Sequence, residues 1–216
     1  MHDSDPVRRL CAAVAVHRRP PAPEAGARDP LYRRMLAAVK SACAKAGLER
    51  AFLQERRPSP DERRPETGAV LLLVPSGMNE ARVITDLVHG LDDALAEDTP
   101  GAAGPLRLVI AFDQGITWLT ERGFEGRVLT EVYRLCTGDT TCAALRGGPD
   151  QGVGVVISAA LLDDLTPPPP GPGPGRVARN DLAPAGFDPL PAEIAERRIA
   201  AWSHPPGRRL RLPGQN

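Results

Sequence analysis

The sequence predicts an α+β fold: a βαββαβ core followed by a hairpin, a helix and a further strand. Three observations predict it. Short apolar runs alternate with helical repeats in the order strand, helix, strand, strand, helix, strand. Two of those runs, AVLLLV and LRLVIAF, are apolar at almost every position, as strands covered on both faces are. Aromatic residues make up only 4% of the chain, so the layers between sheet and helices must be filled by Val, Leu, Ile and Ala.

Taken in order, Leu10 to Val16 (LCAAVAV) is a short apolar run that stops at His-Arg-Arg-Pro-Pro, which marks a buried strand followed by linker over 18–28. Asp29-Pro30 then starts a helix, with Asp as N-cap and Pro at the first helical position, where its missing N–H costs nothing. Leu31, Met35, Val39, Ala42, Cys43 and Ala46 recur at threes and fours on one face, and Gly47 suits the left-handed C-terminal position. A strand is expected at Ala51 to Glu55 and an exposed Arg/Glu/Pro-rich loop at Arg56 to Glu66. The core strand is Ala69 to Val74. Pro75-Ser76-Gly77 turns into a helix from Asn79 to Glu97 with Ile84, Leu87, Val88, Leu91 and Leu95 inward, and Leu106 to Phe112 is the fourth strand. This order is the split βαβ, ferredoxin-like arrangement.

Beyond it the patterns predict a hairpin at Ile116 to Phe124, a helix from Gly126 to Cys136, a strand Val153 to Ile157, and Ser158 capping a short helix to Leu165. PPPPGPGPG at 167–175 cannot hold helix or sheet and is a surface linker. Ile199 to His204 returns as a possible edge strand. The domain reading is an N-terminal strand and linker at 1–28, a core at 29–166 completed by strand 10–16, the linker at 167–175, and a tail at 176–216.

Composition narrows function by exclusion. Lys+Arg and Asp+Glu are both 27, for a formal net charge of zero, which argues against the broad positive field of a nucleic-acid or membrane-surface binder. The N-terminal stretch has neither a signal-peptide pattern nor an apolar run of the ~18 residues a membrane span needs; the expectation is a cytoplasmic protein. Cys11, Cys43, Cys136 and Cys142 lack metal-ligand spacing and are expected as free thiols. His17, His89 and His204 fall on separate elements and suggest no zinc site. PSGMN lacks the Gly-Lys-Ser/Thr ending of a phosphate-binding loop and reads as a turn. Asp92-Asp93 and Asp163-Asp164 read as solvated helix faces, and Asp113, after a strand in FDQG, as a turn residue.

The order of elements, together with AVLLLVPSG, LRLVIAFDQG, GFEGRVLTEVYRL, VVISAALLDDL and AWSHPPG, resembles the class III nucleotide (adenylate/guanylate) cyclase homology domain in its small soluble actinobacterial-type form, from Leu10 to about Gly207. The resemblance implies two metal-binding aspartates that hold two divalent cations on a nucleoside triphosphate. Ala15 stands at the first of those positions and Thr67 at the second, so both anionic ligands are missing, and Glu66 is expected to point to the opposite face of an extended turn. Losing one such electrostatic contact can cost a factor of about 100 to 1000 in rate. No cofactor or metal and no independent turnover are therefore expected. The resemblance also implies an Asn and an Arg on the helix after the hairpin that reach into a partner subunit's site. Thr130 stands at the Asn and Arg134 at the Arg, which makes these two the candidate nucleotide-binding residues; the ordinary reading of Arg134 is an ion pair with Glu131. Gly123 occupies the place of a base-reading Asp.

Three functions follow as expectations. The first is a catalytically degenerate cyclase-like domain serving as a regulatory or scaffold module, in a homodimer or a heterodimer with a cyclase-like protein. The second is the non-metal-binding half of a heterodimeric cyclase that supplies Arg134. The third is a nucleoside triphosphate sensor that uses the basic loop Arg56 to Arg64. Neither nucleic acid nor membrane is expected as a partner.

Overall fold

The computed structural model of the chain describes residues 5–17, 30–56, 68–98, 104–145, 150–166, 187–194, 197–204, 210 and 212. The first strand, β1 (Val7–Val16), starts three residues earlier than its apolar run, because Arg8 and Arg9 continue the ladder with the fourth strand. Helix α1 (Pro30–Lys45) ends before Gly47 at φ +68°; its expected cap, Asp29, lies outside the described residues. Strands β2 (Phe52–Arg56) and β3 (Ala69–Leu73) follow, then α2 (Glu80–Glu97), whose N-cap Asn79 accepts a hydrogen bond from the Arg82 N–H at 3.0 Å.

Strand β4 (Arg107–Thr120) runs without a break through both the fourth strand and the first arm of the hairpin, so Asp113 is a strand residue and not a turn residue. The reason is pairing: Gln114 to Thr117 lie opposite Leu10 to Val7, and β1 carries the strand straight through the Asp-Gln-Gly that suggested a turn. The hairpin closes with β5 (Gly123–Glu125), and α3 (Arg127–Thr137) is followed by a short helix, α4 (Asp139–Ala144), that the sequence pattern did not indicate. After β6 (Gly152–Ser158) and α5 (Ala159–Leu165), capped as expected by Ser158, two strands close the sheet, β7 (Asp188–Ile194) and β8 (Arg197–His204). The expected edge strand is β8, yet it lies between β6 and β7, and β7 forms the edge. Two prolines in DPLPAEI hid β7 from sequence reading, and an edge is where a strand tolerates them.

The strand order is β2-β3-β1-β4-β6-β8-β7, with β5 on β4. Its first four strands have the antiparallel order of the βαββαβ core, and β4 with β6 is the one parallel pair among the described strands. Alternation along β1 divides the interior. Leu10, Ala12, Val14 and Val16 face the layer that contains Met35 and Val39 of α1, Ile84 and Leu87 of α2, and Leu161 of α5. Cys11, Ala13 and Ala15 face the layer that contains Val128, Val132, Tyr133 and Cys136 of α3. The linker at 167–175 lies outside the described residues.

Candidate functional site

The position expected for the first carboxylate is set by strand register. Arg56, Ala69, Ala15 and Val109 are cross-strand partners in one row over β2, β3, β1 and β4, and partners in such a row point to the same side of the sheet. That side is α3's. Ala15 is 3% exposed and Ala69 fully buried. The Cys136 thiol donates to the Val109 carbonyl at 3.4 Å and lies against the backbone of Ala15 and Ala111; burial pushes its pKa far above the ordinary thiol range. Two methyl groups beneath a buried, protonated thiol offer a divalent cation neither lone pairs nor charge, so this row does not fit the metal pair that the resemblance implies. Thr67 and Glu66 lie outside the described residues.

At the end of the same row a fixed positive charge belongs to the protein itself. The Arg56 guanidinium carbon sits over the Tyr133 ring, 4.7 Å from its centre, within the range of a cation–π contact. Sequence reading placed Arg56 at the start of a solvated loop. Only the packing of α3 across the sheet, over β1 and β4 and on to β3, brings Tyr133 to it.

Helix α3 starts where the backbone of Gly126 has φ +155°, and a side chain there would meet the Ile116 carbonyl, so glycine is required at this hairpin-to-helix junction. Val128, Leu129, Val132, Tyr133, Leu135 and Cys136 are buried, which leaves Arg127, Thr130, Glu131 and Arg134 on the outer face. Thr130 and Arg134, four apart, share that face. The expected Glu131–Arg134 ion pair does not form. Glu131 is held instead by Arg127 at 2.6 Å, four residues before it, and Arg134 makes no ion pair or side-chain hydrogen bond among the described residues. Gly123 opens β5 at φ +111°, beside Gln54, whose side chain accepts from the Phe124 N–H at 3.1 Å.

Farther along the α3 side, Asp113 is buried opposite Cys11. Its Oδ1 accepts from the Ser158 hydroxyl at 2.6 Å and from the Gln114 N–H at 2.8 Å. Burial raises its pKa, and these two hydrogen bonds oppose the rise. The alternation that places Val109 and Ala111 on this face carries Asp113 there too, which was the available signal. On the opposite side Asp92 is only half exposed, and desolvation lifts its carboxyl to about 6 despite a hydrogen bond from the Val153 backbone, so it is not the solvated residue expected. His204 is buried with its ring 5.3 Å from that of Phe187, a structural placement. No disulfide joins the cysteines, and no cluster of three potential metal ligands occurs among the described residues.

No protein-family model matches the sequence and no curated protein matches it. Solved structures do. The catalytic core of a rhodopsin-guanylyl cyclase with converted specificity, solved with ATPαS, matches with a TM-score of 0.50 over 93% of this chain and 97% of that one, at 8% identity. The chain has the class III nucleotide cyclase fold. An adenylate/guanylate cyclase/hydrolase from Silicibacter pomeroyi (TM-score 0.49, 17% identity, 94% of this chain and 99% of that one) and the adenylyl cyclase CyaB from P. aeruginosa (0.47, 11%, 93% and 95%) also match. In this cyclase fold the βαββαβ core, the hairpin and α3 follow in the order expected, and among the described residues no helix is long and apolar enough to cross a membrane.

Proposed function

We propose that this chain is a catalytically degenerate cyclase-fold domain that acts as a regulatory or scaffold subunit in signalling, paired with a second cyclase-like subunit. The observation that carries the reading is Ala15, a buried methyl in a row covered by α3, where the family's resemblance calls for a metal-binding carboxylate. Cyclisation needs a 3′-hydroxyl to lose its proton while charge builds on the leaving pyrophosphate, and two cations normally carry that charge. The row supplies no anionic ligand for them.

Pairing is supported by the surface. Phe52, Ile116, Trp118 and Leu119 are the exposed large hydrophobics among the described residues; the last three lie on the hairpin arm of β4, and the Phe52 ring meets Phe124 of β5 at 5.1 Å. Exposed apolar side chains concentrated on one hairpin suit a contact surface. The purified protein, incubated with ATP or GTP and manganese, should form no cyclic nucleotide while light scattering at micromolar concentration gives the mass of a dimer. Metal-dependent turnover by the protein alone would overturn the degenerate reading, and a strictly monomeric mass would overturn the pairing.

A second reading has its own support: Arg134 stands on the outer face of α3 with no carboxylate engaged to it among the described residues. In that reading the chain is the half of a heterodimeric cyclase that supplies Arg134 and Thr130 to a partner with both metal-binding aspartates. In a co-purified pair, Arg134→Ala should lower turnover by a factor of about 100 to 1000. Full activity in that variant would end the idea.

A further inference from the structure

We infer that the outer face of the α1–α2 helix pair is a contact surface for a second copy of this chain, with Lys40 and Arg33 of one copy on Asp93 and Glu97 of the other. The surface lies across the sheet from α3, so the inference goes beyond the pairing proposed above and does not rest on it.

In a chain of zero net charge the two helices carry opposite signs. Helix α1 holds Arg33, Arg34, Lys40 and Lys45 and no carboxylate; α2 holds Glu80, Asp86, Asp92, Asp93 and Glu97 against one arginine, Arg82. Contacts within the chain use only part of this charge. Arg34 is bound to Asp98 at the end of α2, and Lys45 alone serves both Asp93 at 3.5 Å and Glu97 at 3.4 Å. Arg33 and Lys40 make no ion pair among the described residues. Both are exposed, as is Ala37 between them, and these three follow one stripe of α1. On α2, Asp93, Ala96 and Glu97 are exposed.

Two contacts fix how the helices lie. Gly90 packs so closely on Ala42 that a Cβ there would come within 2.9 Å of the Ala42 Cα. Arg34, eight residues before Ala42, meets Asp98, eight residues after Gly90. The helices are therefore antiparallel, and these pairs are level with each other. Counting along each axis from Ala42 and Gly90 at about 1.5 Å per residue, Lys40 falls within one residue of the level of Asp93, Ala37 within one of Ala96, and Arg33 within two of Glu97.

A second copy related by a half-turn about a line parallel to the helices and midway between them keeps every level and lays α1 over the other copy's α2. Lys40 then meets Asp93, Arg33 meets Glu97, and each contact occurs on both sides of the axis, as in any two-fold interface. Ala37 and Ala96 meet between the charged pairs, where methyl groups permit two helices to approach closely. A uniformly acidic partner would be repelled by α2 and a uniformly basic one by α1. A second copy matches both.

Exposed ion pairs are individually weak, so the contact is expected at a protein concentration of about 100 µM and not at about 1 µM. The test is sedimentation equilibrium on the full chain at that higher concentration, in about 0.01 M and about 1 M salt, between which the screening length falls from about 30 Å to about 3 Å. The mass in low salt is expected to exceed that in high salt by up to about twofold, the limit set by one two-fold contact. Lys40→Glu and Asp93→Lys should each abolish the excess, because like charges then face each other. An equimolar mixture of the two variants should restore it, because the exchanged charges are again opposite. Circular dichroism of each variant verifies that it is folded. Equal masses in both salts, an excess that either reversal leaves intact, or a mixture that fails to restore it overturns the inference. A dimer of unchanged mass in both salts is such a result and leaves the hairpin pairing standing. A monomer in high salt with a charge-dependent excess in low salt supports this contact and removes the hairpin pairing instead.

Discussion

The two faces of the sheet are built from the same strands and differ in residue size most along β1, which turns Leu10, Val14 and Val16 to one side and Cys11, Ala13 and Ala15 to the other. Beneath α1, α2 and α5 the sheet presents Leu10, Val14, Leu72, Ile110, Phe112 and Ile157 to Met35, Ile84, Leu87 and Leu91. Beneath α3 it presents Cys11, Ala13, Ala15, Ala69 and Ala111 together with Leu71, Leu73, Val109 and Val156. Large side chains on the first face remove the most apolar surface from water, which is where stability comes from at about 25 cal/mol per Å². Small ones on the second let a single helix lie close enough for its Cys136 thiol to reach strand carbonyls. The difference teaches that the position expected for a metal-binding carboxylate here is a packing position for α3, while the ionisable groups of this face stand elsewhere, Arg56 at the edge of the row and Asp113 farther along it.

Substitution can break that contrast. Phe112→Ala, on the large-residue face, should cost about 3–5 kcal/mol in a denaturant-unfolding experiment, through lost burial and the cavity left behind. Ala15→Asp, on the small-residue face, should cost about 3 kcal/mol or more at neutral pH, because the carboxylate would be buried without a partner. Its deficit should shrink as the pH falls. A buried carboxyl has a folded-state pKa above its unfolded value, so the protonated form is tolerated and the cost grows as pH rises through the folded pKa. An Ala15→Asp protein as stable as the unaltered one at neutral pH would show that α3 does not seal this row.

Two carboxyls sharpen the comparison, one on each side. Asp92 is raised by desolvation to about 6, and Asp113 is raised by burial. Both therefore contribute stability at acid pH that is lost as the pH rises, for Asp92 between its unfolded value near 3.8 and about 6. Asp92→Asn and Asp113→Asn should each flatten the fall in melting temperature on the alkaline side of pH 4. The Asp113 variant should do so without loss of its two hydrogen bonds, since both are accepted by the same oxygen, which an asparagine carbonyl can replace. A pH profile unchanged in both variants would place the titration elsewhere. The smallest effect belongs to the outer face of α3. Arg127→Ala removes an exposed i,i+4 pair with Glu131 and should change stability by only about 0.3–0.5 kcal/mol in the same unfolding assay.

Sequence pattern revealed most of the elements and little of what joins them. The βαββαβ order, the inward stripes of α1, α2 and α3, and the Ser158 cap followed from local spacing and capping chemistry. The long β4 did not, because Asp-Gln-Gly carries turn residues and only the ladder with β1 keeps them extended. Strand β7 escaped because its prolines are breakers anywhere except at an edge. Of the candidate residues, Thr130 and Arg134 were placed on a shared helical face by their spacing. The Arg56–Tyr133 stack was invisible, since the two residues are far apart in the chain and neither carries a motif.

What the sequence determined by itself was the set of periodicities, and with it which side of each helix and strand is apolar. Those are properties of neighbouring residues, set by 3.6 residues per helical turn and by strict alternation in a strand. The tertiary structure alone decided which rows of different strands stand side by side. It put Ala15 between Ala69 and Val109 under Cys136, and β8 inside the sheet. It brought Tyr133 under the Arg56 guanidinium, while within α3 the side-chain geometry settled Glu131's partner as Arg127 and not Arg134. Register and helix docking depend on contacts between residues distant in the chain, and no local pattern encodes them.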